Sequence, residues 1–189
     1  MRIVAIPEAW QQRALVITEV DRPERWFSAM ELARADAFTL EKRRTEWMLA
    51  RIAAKELARQ RGLCEDPRAF VVERAPTISL SHGGGYGAAA IDVEPVGIDI
   101  ERHRDIKPSA AHLFLTEEEE AEARHCSMER ALLHFWSAKE AAWKQRSGEV
   151  PTLKKIPLHL VAQRDDGLTF DRAETYAGEI VVALTTTTS

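Results

Sequence analysis

Residues 135–144 read Phe-Trp-Ser-Ala-Lys-Glu-Ala-Ala-Trp-Lys. In a helix, Trp136, Glu140 and Lys144 fall four apart and share one face, with Trp143 beside them. Two readings are open: a surface Glu-to-Lys pair on an amphipathic helix, or one wall of a site. A second acidic stretch, residues 96–101 (Val-Gly-Ile-Asp-Ile-Glu), favours the site. Apolar and acidic residues alternate there, so a strand sends Asp99 and Glu101 the same way. The simple reading is a strand with one wet face. Against it, the two like charges repel, and no basic residue falls between them. A cation shared by both relieves that repulsion, and oxygen-only donors favour a hard ion such as Mg²⁺.

The chain has 189 residues, 45% of them hydrophobic, enough for one core or two small ones. Its net charge of −4 argues against a general nucleic-acid binder. Cys64 and Cys126 match no metal or redox spacing and read as reduced thiols of a cytoplasmic protein. The apolar run 3–6 ends at Pro7, too short for a signal peptide, and no stretch has the length of a membrane span.

In chain order, residues 2–6 and 14–20 read as strands. Asp21 and Pro23 signal a helix over 24–37. Thr39 caps a second helix, 40–61, which stops before Gly62. Arg44, Arg51 and Lys55 line one side of it, either as a solvated row or as an anion site. Residues 68–73 and 77–80 read as strands leading to Ser81-His82-Gly83-Gly84-Gly85-Tyr86-Gly87. That run is either a hairpin turn or a loop whose backbone N–H groups cradle phosphate, and residues 88–93 continue as a strand. Thr116 and Glu119 form a capping box, so the glutamates at 117–120 open a helix rather than a metal site. The central helix runs from 128 or 129 to 145 and ends at Ser147-Gly148. Residues 158–161, 168–170 and 179–185 read as closing strands, with Asp166-Gly167 as a turn and a frayed tail. Ala54-Lys55-Glu56 in the second helix echoes Ala138-Lys139-Glu140 in the central one. A duplicated α+β architecture explains the echo.

Gly97-Ile98-Asp99-Ile100-Glu101 followed by Trp136-Ser137-Ala138-Lys139-Glu140-Ala141-Ala142-Trp143-Lys144 resembles the paired signature of the 4′-phosphopantetheinyl transferases. Ile78-Ser79-Leu80-Ser81-His82 resembles the serine–histidine motif of the longer, surfactin-synthetase-activating type of that family. Arg43-Arg44 with Arg51 resembles its first-half arginine helix. One departure stands out: where the family carries a Gly-Lys-Pro loop, this chain has Glu73-Arg74-Ala75-Pro76.

The resemblance implies an α+β fold of two similar halves, 1–94 and 95–189, each a small sheet packed on helices, with the active site at their junction. It implies transfer of the 4′-phosphopantetheine arm of coenzyme A to a serine of an apo acyl or peptidyl carrier protein, releasing 3′,5′-ADP. Mg²⁺, with Mn²⁺ as a substitute, is the implied ion, and the protein is expected to be a cytoplasmic monomer. Asp99, Glu101 and Glu140 match the metal ligands, and Glu140 and Lys144 the catalytic pair. Arg44, Arg51, Ser81, His82, Lys139 and Lys144 match coenzyme A contacts. The rivals are a non-catalytic coenzyme A-binding or carrier-docking module with the same fold, and a Mg²⁺-dependent hydrolase.

Overall fold

The computed structural model describes residues 1–72, 77–146 and 150–186. Glu73-Arg74-Ala75-Pro76, Ser147-Gly148 and the end of the tail lie outside these. The chain divides into two compact units, Met1–Val93 and Glu94–Ser189.

In the first unit, β1 (Arg2–Ile3), β2 (Ala14–Thr18), β3 (Ile78–Gly83) and β4 (Tyr86–Ile91) form an antiparallel sheet in the order β1-β2-β4-β3. The long helix α2 (Glu41–Gln60) packs on β2, β3 and β4. The core joins Leu15, Ile17, Trp47, Ile52, Leu57 and Ala89. Gly87 lets α2 come close, since a Cβ there would overlap the backbone of Leu49 and Ala50.

Several local expectations change. The helix expected over 24–37 starts later: a 3-10 turn at Pro23–Trp26 is followed by extended Phe27, and α1 is Ala29–Asp36. The decisive signal is a capping box at Ser28 and Glu31, with Phe27 stacked on Trp47. The N-cap of α2 is Leu40, without a side-chain bond, rather than Thr39. Residues 67–69 form a 3-10 turn instead of starting a strand.

In the second unit, β5 (Ile98–Glu101), β6 (Leu160–Arg164), β7 (Gly167–Phe170), β8 (Ala173–Ala177) and β9 (Val181–Thr185) form an antiparallel sheet in the order β5-β9-β8-β7-β6. Strand β8 is an addition to the expected set, and the β6–β7 turn is Asp165-Asp166 rather than Asp166-Gly167. The capping box at Thr116 and Glu119 opens α3 (Glu117–His125). The central helix α4 (Ala131–Gln145) starts later than expected, after Arg130 in a left-handed conformation. It packs on β5, β7, β8 and β9.

The units share a sub-topology. In each, a strand is followed by a long helix and later by a hairpin whose second strand pairs antiparallel with the first: β2, α2, β3–β4, and β5, α4, β8–β9, where β6 and β7 come before the hairpin. Among the described residues no helix is long and apolar enough to cross a membrane.

Candidate active site

In the second unit, alternation along β5 puts Asp99 and Glu101 on the face that α4 covers, so this is not a wet face. Gly97 allows the approach, because a Cβ there would overlap the carbonyl oxygen of Ala141. Asp99 is buried, and each of its oxygens has a donor from α4. Lys144 Nζ lies 2.7 Å from Oδ1, and Ser137 Oγ donates to Oδ2 at 2.9 Å. Lys144 also donates to the Ile98 carbonyl at 3.1 Å. Glu101 accepts from Trp136 Nε1 at 2.8 Å and from both ends of the Arg104 fork at 3.3 and 3.4 Å. Trp136 is itself braced edge-to-face on Phe114.

The strand carboxylates are therefore neutralised by protein donors: Arg104 is a near neighbour of Glu101, whereas the partners of Asp99 come from far along the chain. Lys144 is 45 positions from Asp99, and Arg104 comes after the alternating stretch. The ammonium of Lys144 goes to Asp99 rather than making the i, i+4 pair with Glu140. Glu140 is half-buried and has no hydrogen bond or ion pair of its own among the described residues. Burial pushes its carboxyl pKa up, the Asp99 and Glu101 charges add to this, and Lys144 opposes it.

Among the described residues no three His, Cys, Asp or Glu side chains converge as a ready-made metal cage. The donor chemistry still fits a hard cation. Three carboxylates, with no softer ligand among them, lie close enough for the charges of two to act on the third.

Lys139 is corrected. It is wholly buried, with Nζ 2.6 Å from Glu119 Oε2 and 3.4 Å from the carbonyl of Leu153. Its ammonium is committed to the fold instead of facing a phosphate, and burial holds its pKa below the usual lysine range although Glu119 opposes this.

In the first unit, the hairpin reading of residues 81–87 holds. Ser81, His82 and Gly83 lie in β3, paired with Ala88, Gly87 and Tyr86, and Gly84-Gly85 make the two-residue turn at positive φ. Ser81 is buried. His82 is partly exposed, with Nδ1 3.8 Å from Glu46 Oε2, and Arg43 Nη1 lies 3.9 Å from the same oxygen. Arg44 pairs instead with Asp36 at 3.2 Å and Glu41 at 3.5 Å, on the wall of a cavity of about 370 Å³ that also includes Thr18, Thr45 and Gly85. Arg51 lies over the Trp47 ring at 4.1 Å. Lys55 is no part of a solvated row: it is wholly buried against Glu31.

The model of the 4′-phosphopantetheinyl transferase superfamily matches residues 95–178, the segment that carries β5, α4 and all three acids. This segment, a little under half of the chain, is similar to that superfamily. The 4′-phosphopantetheinyl transferase psf-1 of Bacillus pumilus is 37% identical over 76 residues, 38% of this chain. The match spans about a third of that relative's length (33%). Reading the superfamily signature from sequence missed Ser137 and Arg104, the donors to Asp99 and Glu101. For Ser137 a signal existed, since it falls one helical turn before Glu140 on the same face.

Proposed function

We propose that the chain transfers the 4′-phosphopantetheine arm of coenzyme A to the serine hydroxyl of an apo acyl or peptidyl carrier protein, with release of 3′,5′-ADP. The observation that carries this is the α4 face, where Lys144 and Ser137 bind Asp99, Trp136 binds Glu101, and Glu140 lies close enough to feel both charges. Carboxylates beside an ammonium suit a diphosphate neutralised partly by a metal and partly by protein.

Asp99, Glu101 and Glu140 are the residues to hold Mg²⁺, which when bound supplies charge stabilisation for the diphosphate. Lys144 adds a positive charge at the phosphates. Glu140 is suited to accept the serine proton, directly or through water, because it is half-buried and no donor holds it among the described residues. In the first unit, Ser81, His82 and Arg44 are assigned to the 3′-phosphate end of coenzyme A, with Arg43 beside His82 and Arg51 on the same helix. Lys139 has no part in the chemistry.

Intact-protein mass spectrometry on a panel of apo-carriers, with coenzyme A and Mg²⁺, tests the activity. The expected result is a phosphopantetheine mass gain on at least one carrier. Coenzyme A binding without any gain would favour a docking module. The phosphate assignment has its own check: His82→Ala should lower kcat/KM about 10- to 100-fold with coenzyme A and leave dephospho-coenzyme A nearly unchanged.

A further inference from the structure

Ser137 stands out among the polar side chains of α4. It is wholly buried, and its hydroxyl donates to Asp99 Oδ2 at 2.9 Å. It shares a helix face with Glu140 and Lys144, three and seven residues on. Aligning Ala138-Lys139-Glu140 with Ala54-Lys55-Glu56 sets Ser137 against Ala53 in α2, which is also wholly buried. The strand that α2 covers in the role of β5 is β2, Ala-Leu-Val-Ile-Thr, which has no acid to hold. So the same buried helix position carries a hydroxyl in the unit with a strand carboxylate and a methyl in the unit without one.

We infer that Ser137 is a positioning residue for Asp99. Its hydrogen bond to Oδ2 fixes the orientation in which Asp99 would meet a cation, with Oδ1 as the oxygen better placed to bind it. Oδ1 is the oxygen held by the Lys144 ammonium in this structure. An unanchored carboxylate turns about its Cβ–Cγ bond and offers either oxygen or both; the hydroxyl limits that freedom, and the ordering is not paid again when the metal binds. This rests on the reading of Asp99, Glu101 and Glu140 as the metal ligands.

Mn²⁺ titration followed by electron paramagnetic resonance, with coenzyme A present, tests it on wild type, Ser137→Ala, Ser137→Cys and Asp99→Asn. Ser137→Ala should raise the Mn²⁺ dissociation constant about tenfold, the scale of one hydrogen bond to a charged group. Ser137→Cys should recover part of this, because a thiol is a weak donor in the same place. In turnover assays the KM for Mg²⁺ should rise while kcat at saturating Mg²⁺ stays close to wild type. A merely structural role would lower Tm and leave the Mn²⁺ constant alone. Equal Mn²⁺ constants for wild type, Ser137→Ala and Ser137→Cys, with binding lost in Asp99→Asn, would overturn the inference and leave the metal reading standing. Absence of Mn²⁺ uptake by wild type would overturn both.

Discussion

The helices α2 and α4 are built on one plan and put to different use. Each carries Ala-Lys-Glu. In each the lysine is wholly buried and bound to the glutamate of the capping box that opens the preceding helix: Lys55 to Glu31 at 3.0 Å, and Lys139 to Glu119 at 2.6 Å. Each lysine also donates to carbonyls in the segment after its helix, Pro67 and Phe70 for Lys55, Leu153 for Lys139. The contrast begins with the next residue. Burial pushes the Glu56 carboxyl up, but hydrogen bonds from Arg59 and Gln60 and the charge of Arg59 bring it below the ordinary carboxylate range. The matching positions in α4 are Trp143 and Lys144, which turn to the Val150 carbonyl and to Asp99. Glu140 is left without a clamp, and its pKa rises. One scaffold thus holds a neutralised acid in one unit and a poised acid in the other, and the difference comes from two side chains in the following turn.

The largest expected effect tests the shared part. Removing one partner of a buried ion pair costs about 3–5 kcal/mol, because the other charge stays buried and unpaired. Lys55→Met and Lys139→Met should each destabilise their own unit by that amount in urea titrations. If Lys139→Met instead lowered kcat/KM with stability unchanged, the parallel would fail and a phosphate role for Lys139 would return.

The next effect tests the divergent part. Glu140→Gln should lower kcat/KM by about 10²- to 10³-fold, the scale of losing one charge-stabilising group at a reacting centre. Glu56→Gln should leave the turnover of the folded protein close to wild type. Similar losses in both would mean that the clamp does not distinguish them.

His134 sharpens the contrast through pH. It is buried beside Thr175, with Nδ1 2.8 Å from Oγ1, and Ala50 is its match in α2. Burial, with the charge of His103, lowers its pKa from 6.5 to about 4. The folded protein keeps this ring neutral while the unfolded chain takes up a proton below pH 6.5, so its stabilising effect is full above 6.5 and is lost as pH falls toward 4. The loss reaches about 3 kcal/mol in the second unit. Urea titrations across this range should show it, and His134→Asn should flatten the profile.

The smallest effect concerns the helix–sheet approach. Gly87→Ala and Gly97→Ala each force a Cβ into helix backbone, at about 1–3 kcal/mol. Gly97→Ala should also reduce turnover, since it shifts β5 against the helix that holds Asp99, whereas Gly87→Ala should act on stability alone. Equal turnover losses would remove the distinction between a structural and a site-forming contact.

Sequence by itself determined whatever depends on near neighbours. The Thr116–Glu119 capping box, the common face of Asp99 and Glu101, and the helix through Glu140 and Lys144 follow from backbone period and local hydrogen bonds, and all are present. Local signals also misled where two competed, as when Asp21 and Pro23 masked the Ser28 cap. Tertiary structure alone decided the partners. Lys139 looked like a phosphate ligand until Glu119 and the Leu153 carbonyl enclosed it, and the acids of β5 looked unpaired until Lys144, Ser137 and Trp136 reached them from α4. The physical reason is that a charged side chain leaving water takes the nearest complementary group in space, and chain packing sets that distance rather than sequence separation.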